Sequence, residues 1–254
     1  MGRRRAAPEL VEQVGELAVL RDARRPTGRL LRQGGMDASY VDLADPRHLE
    51  FDYLRRMRDV VELTGARRVV HVGGAGCALA RALAAAHPED RQEVIERDPE
   101  VLELARRRLG LRRMPGLKVR VGDGRAVLAG RHDGSADAVL IDAFEGARVP
   151  RHLVTAEACA DLARVAALAA VNVVDTSWGP GAGAIGAALA SAFPHTLCVA
   201  SAKRGGNVVL VGAHAPLPTD RLRARAAADI APAVLERMRD DTPPWRDAEA
   251  QAVQ

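Results

Sequence analysis

The chain has 254 residues, enough to bury one substantial core with a small appended element. With 48% hydrophobic and 28% charged residues, its composition is that of an ordinary globular protein and excludes a fibrous or largely disordered chain. Arginine and lysine number 37 against 33 acidic residues, for a net charge of +4, but the basic residues are scattered among acids and aromatics make up only 3%. That pattern argues against a nucleic-acid surface, which needs clustered charge and rings for base stacking.

The three cysteines, Cys77, Cys159 and Cys198, lie far apart, with no metal-ligand spacing and no disulfide framework. They suit a reducing cytoplasm. The opening MGRRRAAPEL is basic but carries no apolar signal core, and the most apolar internal run, VAALAAVNVV, is about half a membrane span. The expectation is a cytoplasmic protein with no membrane, nucleic-acid or metal partner.

In chain order, VGELAVL, GRLL and ASYV read as short strands, separated by the turn-rich RDARRPT and RQGGMD. They predict a small β element over residues 1–43. A helix is expected over DPRHLEFDYLRRMRDVVELTG, with Leu49, Tyr53, Met57, Val60 and Val61 near helical spacing. Asp45 and Pro46 mark its start and Gly65 its stop. RRVVHV, QEVIE, LKVRV, ADAVLID and AAVNVV then read as buried strands. Helices are expected over CALARALAAAH, PEVLELARRRLG and VTAEACADLARVAAL. Regular alternation of strand and helix predicts a parallel sheet with helices on both faces.

HTLCVAS and NVVLVGA, joined only by AKRGG, are expected to form a hairpin. The fold class is therefore α/β and Rossmann-like. It has a mostly parallel seven-stranded sheet ending in an antiparallel hairpin, the arrangement of class I S-adenosylmethionine-dependent methyltransferases. This domain is placed over 44–218, with a helix from Arg221 to Met238 and a polar, frayed tail completing 219–254.

Ligands of open parallel sheets sit at the carboxyl ends of the strands. The first strand ends in Gly73-Gly74-Ala75-Gly76, where Gly73, Gly74 and Gly76 let the backbone approach a ligand. Glu96 ends the second strand, where an acid accepts hydrogen bonds from ribose hydroxyls. Asp123, followed by Gly124, comes after the third strand, where a carboxylate can accept from an adenine amino group. Asp98, just before Pro99, reads instead as a helix cap. The fourth strand delivers Asp142 and Glu145 in LIDAFEGARVP. Paired carboxylates there can bind a cationic amine and remove its proton. His71, inside the first strand, reads as a packed core histidine. Trp178, after the fifth, is open between covering a ligand and capping the surface.

The motifs HVGGAG, VIERDPEV, VGDGRAVL and LIDAFEGARVPRHL, in this order, resemble the polyamine (spermidine) synthase family. SYVDLADPRHLEFDY and NVVLVGAHAPLP resemble its actinobacterial-type members. The likeness runs from about Val14 to Pro218. It implies transfer of an aminopropyl group from decarboxylated S-adenosylmethionine to an amine, with Glu96 on the ribose, Asp123 near the adenine, Asp142 as base and Glu145 helping to hold the acceptor. Tyr53, in Glu50-Phe51-x-Tyr53, and Tyr40 fall on the acceptor side. The resemblance also implies a homodimer.

The departures are specific. Gly76 stands where the family usually carries an aspartate toward the aminopropyl arm. Asp37 or Ala38 falls near the place of a glutamine, and Leu54 replaces a histidine. Three functions stay open: aminopropyl transfer, methyl transfer from intact S-adenosylmethionine, and noncatalytic binding of a nucleoside or polyamine.

Overall fold

The computed structural model describes residues 7–174, 180–201, 206–238 and 242–251. The amino-terminal part is a meander of β1 (Glu9–Val14), β2 (Leu17–Arg21), β3 (Gly28–Gln33) and β4 (Met36–Asp42), antiparallel in that order. The expected strand VGELAVL is split, because Gly15 adopts a φ of 54° and turns the chain between β1 and β2. Inward-facing Leu17, Val19, Leu31 and Val41 anchor this sheet to the main core.

Helix α1 (Asp52–Thr64) is shorter than the sequence suggests. Residues 45–51 stay irregular because Asp42 Oδ1 accepts from the Ala44 and Asp45 N–H groups, a local alternative to helical bonding. The alternating units follow: β5 (Arg68–Gly73), α2 (Ala78–Ala86), β6 (Arg91–Glu96), α3 (Pro99–Arg108), β7 (Leu117–Val121), α4 (Gly124–Ala129) and β8 (Ala136–Asp142). A 3₁₀ turn at Arg151–Leu153 leads to α5 (Ala156–Val165), β9 (Ala166–Val174) and α6 (Pro180–Ala192). The chain then forms β10 (His195–Ser201), β11 (Asn207–Ala213), α7 (Thr219–Ala228), β12 (Ala233–Glu236) and α8 (Asp247–Gln251).

The main sheet has the order β12-β10-β11-β9-β8-β5-β6-β7. The pairs β5–β6, β6–β7, β5–β8 and β8–β9 are parallel. Strand β11 is inserted antiparallel between β9 and β10, so the hairpin lies beyond β9, with β12 outside it. Along β8, Ala138 and Leu140 pack toward α1, α2, α3 and α7, while Val139 and Ile141 pack toward α5 and α6. This is the period-two alternation of a sheet covered on both faces. His71 packs in that core as expected, 6% exposed, with Nε2 2.9 Å from Gln92 Oε1.

Three expectations need correction. The sheet has eight strands, because residues expected as helix to Met238 form β12 against β10. Pro232 cannot continue a helix, and the Asp229 side chain caps the break by accepting from the Ala231 N–H. VTAEACADLARVAAL ends as helix at Val165, since Ala166–Leu168 join β9 and pair with β8 and β11. Of the tail expected to fray, the described residues 242–251 are packed. The Trp245 carbonyl accepts from the Ala156 N–H, Asp247 binds Thr155 and Arg125, and the Arg151 guanidinium lies 4.8 Å from the Trp245 ring centroid. Trp178 lies outside the described residues. Among the described residues, no helix is long and apolar enough to cross a membrane.

The junction that shapes the site is the end of β5, where Gly73 pairs with Asp142 of β8. Gly73 has a φ of 79°, and a Cβ there would lie 2.6 Å from the Asp142 carbonyl oxygen and 2.8 Å from Ala143 Cα. Both atoms are backbone, so neither can rotate away. Gly73→Ala is expected to cost about 2–5 kcal/mol, from left-handed strain plus overpacking. The check is a lowered urea midpoint in equilibrium unfolding.

Candidate active site

The carboxyl ends of β5 to β8 form one wall of a cavity of about 1480 Å³, and the amino-terminal sheet with the start of α1 forms the other. Its charge is the reverse of the chain's. Glu96, Asp98, Asp123, Asp142 and Glu145 line the strand-end side, and Glu16, Asp22, Asp37, Glu50 and Asp52 the opposite side. Against these ten carboxylates stand Arg24, Arg55, Arg97 and the imidazole of His152. Such a cavity favours a cationic ligand.

Asp142 is half-buried at the end of β8. It shares the sheet face of Ala138 and Leu140, and so points toward α1. Asn172 Nδ2 donates to its Oδ1 at 2.8 Å, and the Tyr53 hydroxyl lies 3.3 Å from its Oδ2. Burial pushes its pKa up to about 6, helped by the nearby Glu96 carboxylate, while the two hydrogen bonds pull the other way. Tyr53, 8% exposed, is raised in turn by burial and by the Asp142 charge. Phe51 stacks on the Tyr53 ring with centroids 5.9 Å apart. Tyr40 lines the far wall and donates to Asp22 Oδ2 at 2.8 Å.

On the side of β6 and β7, Glu96 lines the cavity and accepts the Asp98 N–H at 3.0 Å. Burial raises its pKa, against backbone N–H groups of Asp98, Arg97 and Ala75. Asp98 caps α3 through the Glu100 N–H, as its place before Pro99 suggests. Asp123 caps α4 by accepting the Ala126 N–H at 2.9 Å, and its Oδ2 lies 3.1 Å from His152 Nε2. Burial works to raise its pKa, but these two partners outweigh it and the carboxyl sits below its ordinary value. Gly124, the first residue of α4, lines the cavity against Val72 and Leu153.

Two placements depart from the sequence reading. Gly73 and Gly74 line the cavity, but Gly76 is buried behind the turn, where a Cβ would meet Ser39 Oγ at 2.7 Å. It does not line the cavity. Glu145 was expected beside Asp142 around an amine. It stands exposed at the mouth, its carboxylate 2.7 Å from Arg97 Nη1, an ion pair across the end of β5. Surface pairs of this kind contribute little stability and open readily. Cys77 is buried, which pushes its thiol up to about 12 and removes it from nucleophilic chemistry.

Sequence reasoning passed over Asn172, Asn207 and His152. The signal for Asn172 was present, since it is the single polar residue in AAVNVV. It is fully buried, and Asn207 Nδ2 donates to its Oδ1 at 2.9 Å. Nothing local marks His152, which reaches Asp123 from the 3₁₀ turn.

No protein-family model matches the chain. A polyamine aminopropyltransferase from Vibrio vulnificus (strain CMCP6) is 29% identical over 140 residues, 54% of this chain and 46% of that one. The match thus spans about half the length of that relative. A structure described as a probable spermidine synthase from Corynebacterium glutamicum ATCC 13032 superposes with a TM-score of 0.81 at 25% identity, covering 92% of this chain and 91% of the other. The spermidine synthase from Thermotoga maritima shares the fold, with a TM-score of 0.63 at 13% identity over 96% and 83% of the two chains. In sequence the chain is thus similar to a polyamine aminopropyltransferase, and in architecture it shares the fold of structures described as spermidine synthases.

Proposed function

We propose that the protein is an aminopropyltransferase that moves an aminopropyl group from decarboxylated S-adenosylmethionine to a di- or polyamine. The observation that carries this reading is Asp142, a half-buried carboxylate opposite the glycine turn, in a cavity lined by ten carboxylates and three arginines. Donor and acceptor are both cations that repel each other, and a cavity of opposite charge holds them together.

In this reading Glu96 holds the ribose hydroxyls, Asp123 with His152 faces the base, and Gly73 and Gly74 let the donor lie against the backbone. The acceptor ammonium gives a proton to Asp142, since only the free amine has a lone pair. Its nitrogen attacks the carbon next to the sulfonium. The N–C bond forms, the C–S bond breaks, and its electron pair neutralises sulfur, leaving methylthioadenosine. The proton on Asp142 then returns to solvent. Tyr53 steadies the carboxylate through Oδ2, Tyr40 and Asp22 form the far wall, and Glu145 is free to take an ammonium when Arg97 releases it.

A second reading is methyl transfer from intact S-adenosylmethionine. It is favoured by one feature: no carboxylate of the turn Gly73–Cys77 faces the donor's arm. Calorimetry with the decarboxylated donor, the intact donor and methylthioadenosine separates the two, followed by an amine panel read for methylthioadenosine release. Tighter binding of the decarboxylated donor with aminopropyl transfer supports the first reading. Tighter binding of the intact donor supports the second, and binding of none of the three rejects both.

Asp142→Asn is expected to lower kcat by about 10²–10⁴-fold, the usual contribution of a positioned base, while leaving donor affinity within a few-fold. Steady-state kinetics beside donor calorimetry measure both. The wild-type rate is expected to fall as pH drops through about 6, because Asp142 accepts a proton only when ionised and burial holds its pKa near that value. An acidic limb of kcat/KM near pH 4 would contradict this assignment.

A further inference from the structure

We propose that Asn172 and Asn207 form a two-amide relay that positions Asp142, fixing Oδ1 as an acceptor and turning Oδ2 toward the glycine turn. The inference rests on the reading of Asp142 as the base, but its first readout does not need turnover.

The relay follows from sheet order. β11, β9, β8 and β5 are adjacent, and each contributes one residue at the same end of the sheet: Asn207, Asn172, Asp142 and Gly73. Asn172 lies on the face of Leu168 and Ala170, Asn207 on that of Val209 and Val211, and both sets join the core packed on α1. The three polar side chains therefore meet on one face, where β-sheet alternation puts them.

The direction of the relay is set by chemistry. An ionised carboxylate has only acceptors, so the amide NH₂ of Asn172 must face it. The Asn172 carbonyl oxygen then points away and needs a donor, because it is fully buried. Asn207 Nδ2 supplies one at 2.9 Å, and the Asn172–Asp142 bond at 2.8 Å completes the line. With Oδ1 engaged, Oδ2 lies near the Tyr53 hydroxyl and looks across at Gly74, where a Cβ would stand 3.9 Å away.

Among the described residues, the other groups facing Asp142 are few. α1 offers Tyr53, with Asp52 beyond it, and β6 offers the Glu96 carboxylate. The β5 turn brings only Gly73, Gly74 and Ala75, and the loop after β8 brings Ala143 and Phe144, with Glu145 turned out to Arg97. Burial and the Glu96 carboxylate raise the proton affinity of Asp142, and the relay opposes them by favouring its ionised form.

The test is a ¹³C NMR titration of the Asp142 carboxyl in the full-length protein without ligands, alongside the pH–rate profile. Asn172→Ala removes the donor and is expected to move the titration midpoint up by about one pH unit or more. Asn207→Asp places an acceptor where the Asn172 oxygen needs a donor, so that the amide flips and presents its oxygen to Asp142. The midpoint is expected to rise at least as far, although Asn207 never touches Asp142. Asn207→Ala, at a half-buried position, is expected to give a smaller rise in the same direction. In active protein the acidic limb moves with the midpoint, and kcat falls at near-neutral pH while donor KM stays within a factor of two or three.

Unchanged midpoints in folded Asn207→Asp and Asn172→Ala overturn the relay. Midpoints that move as expected in a protein inactive with every donor uphold the relay and reject the aminopropyltransferase reading. An active protein whose limb and midpoint stay fixed does the reverse.

Discussion

The parallel pairing of Gly73 with Asp142 is the constraint on which the site depends. It sets bare backbone beside a carboxylate, with no side chain between them. The tightness has two sources. Ala138, Val139, Leu140 and Ile141 of β8 are fully or almost fully buried, so the strand has no freedom to slide. Gly73 accepts a left-handed φ, so β5 can bend away into the turn immediately after the pair. A slip of one residue would send Asp142 to the opposite face, toward α5 and α6, and put Ile141 in the cavity. The apolar strand thus sets which face the Asp142 carboxylate occupies.

Crowding ten carboxylates around one cavity raises an electrostatic problem that the fold meets locally. Asp98 and Asp123 spend their charge on helix amino termini, where backbone N–H groups stabilise anions. Asp37 pairs with Arg32, Glu145 with Arg97, and Asp22 with the Tyr40 hydroxyl. Glu96 and Asp142 differ, because burial dominates over their partners and raises both. They sit nearest the turn, on either side of β5, so the least compensated negative charge lies beside bare backbone. A base with a pKa near 6 also accepts a proton more readily than an ordinary carboxylate while staying mostly ionised at neutral pH.

Much of this was readable in the sequence because it depends on local pattern. Period-two and helical spacing marked the units from β5 to β9, and Asp98 before Pro99 announced its cap. Acids at successive strand ends identified the cavity wall. What escaped depends on strand order and on distant packing. The position of β11 between β9 and β10 cannot be read from the residues of either strand, so Asn207 had no visible link to Asn172. Residues 233–236 read as helix until β10 offers them a ladder, and the tail looked polar because its anchors, Thr155, Ala156 and Arg125, lie about 90 to 120 residues away. The placement of Gly76 outside the cavity lining has a subtler cause: a loop's sequence does not say which of its residues turn inward.

The turn itself shows how such a choice is made. Ala75 and Cys77 both hold positive φ, 44° and 58°, a conformation that costs a residue with a Cβ about 1–2 kcal/mol. The compensations lie in the neighbours. The Ala75 N–H is held by the Glu96 carboxylate, the Cys77 N–H reaches the Gly74 carbonyl at 2.9 Å, and the Cys77 side chain is buried in the core. Gly76 is thereby rolled under the turn against Ser39, and Gly73 and Gly74 are rolled out into the cavity. Glu96 therefore shapes the glycine turn from below while lining the cavity. Losing that carboxylate removes the anchor of the Ala75 N–H and lets the strained turn relax.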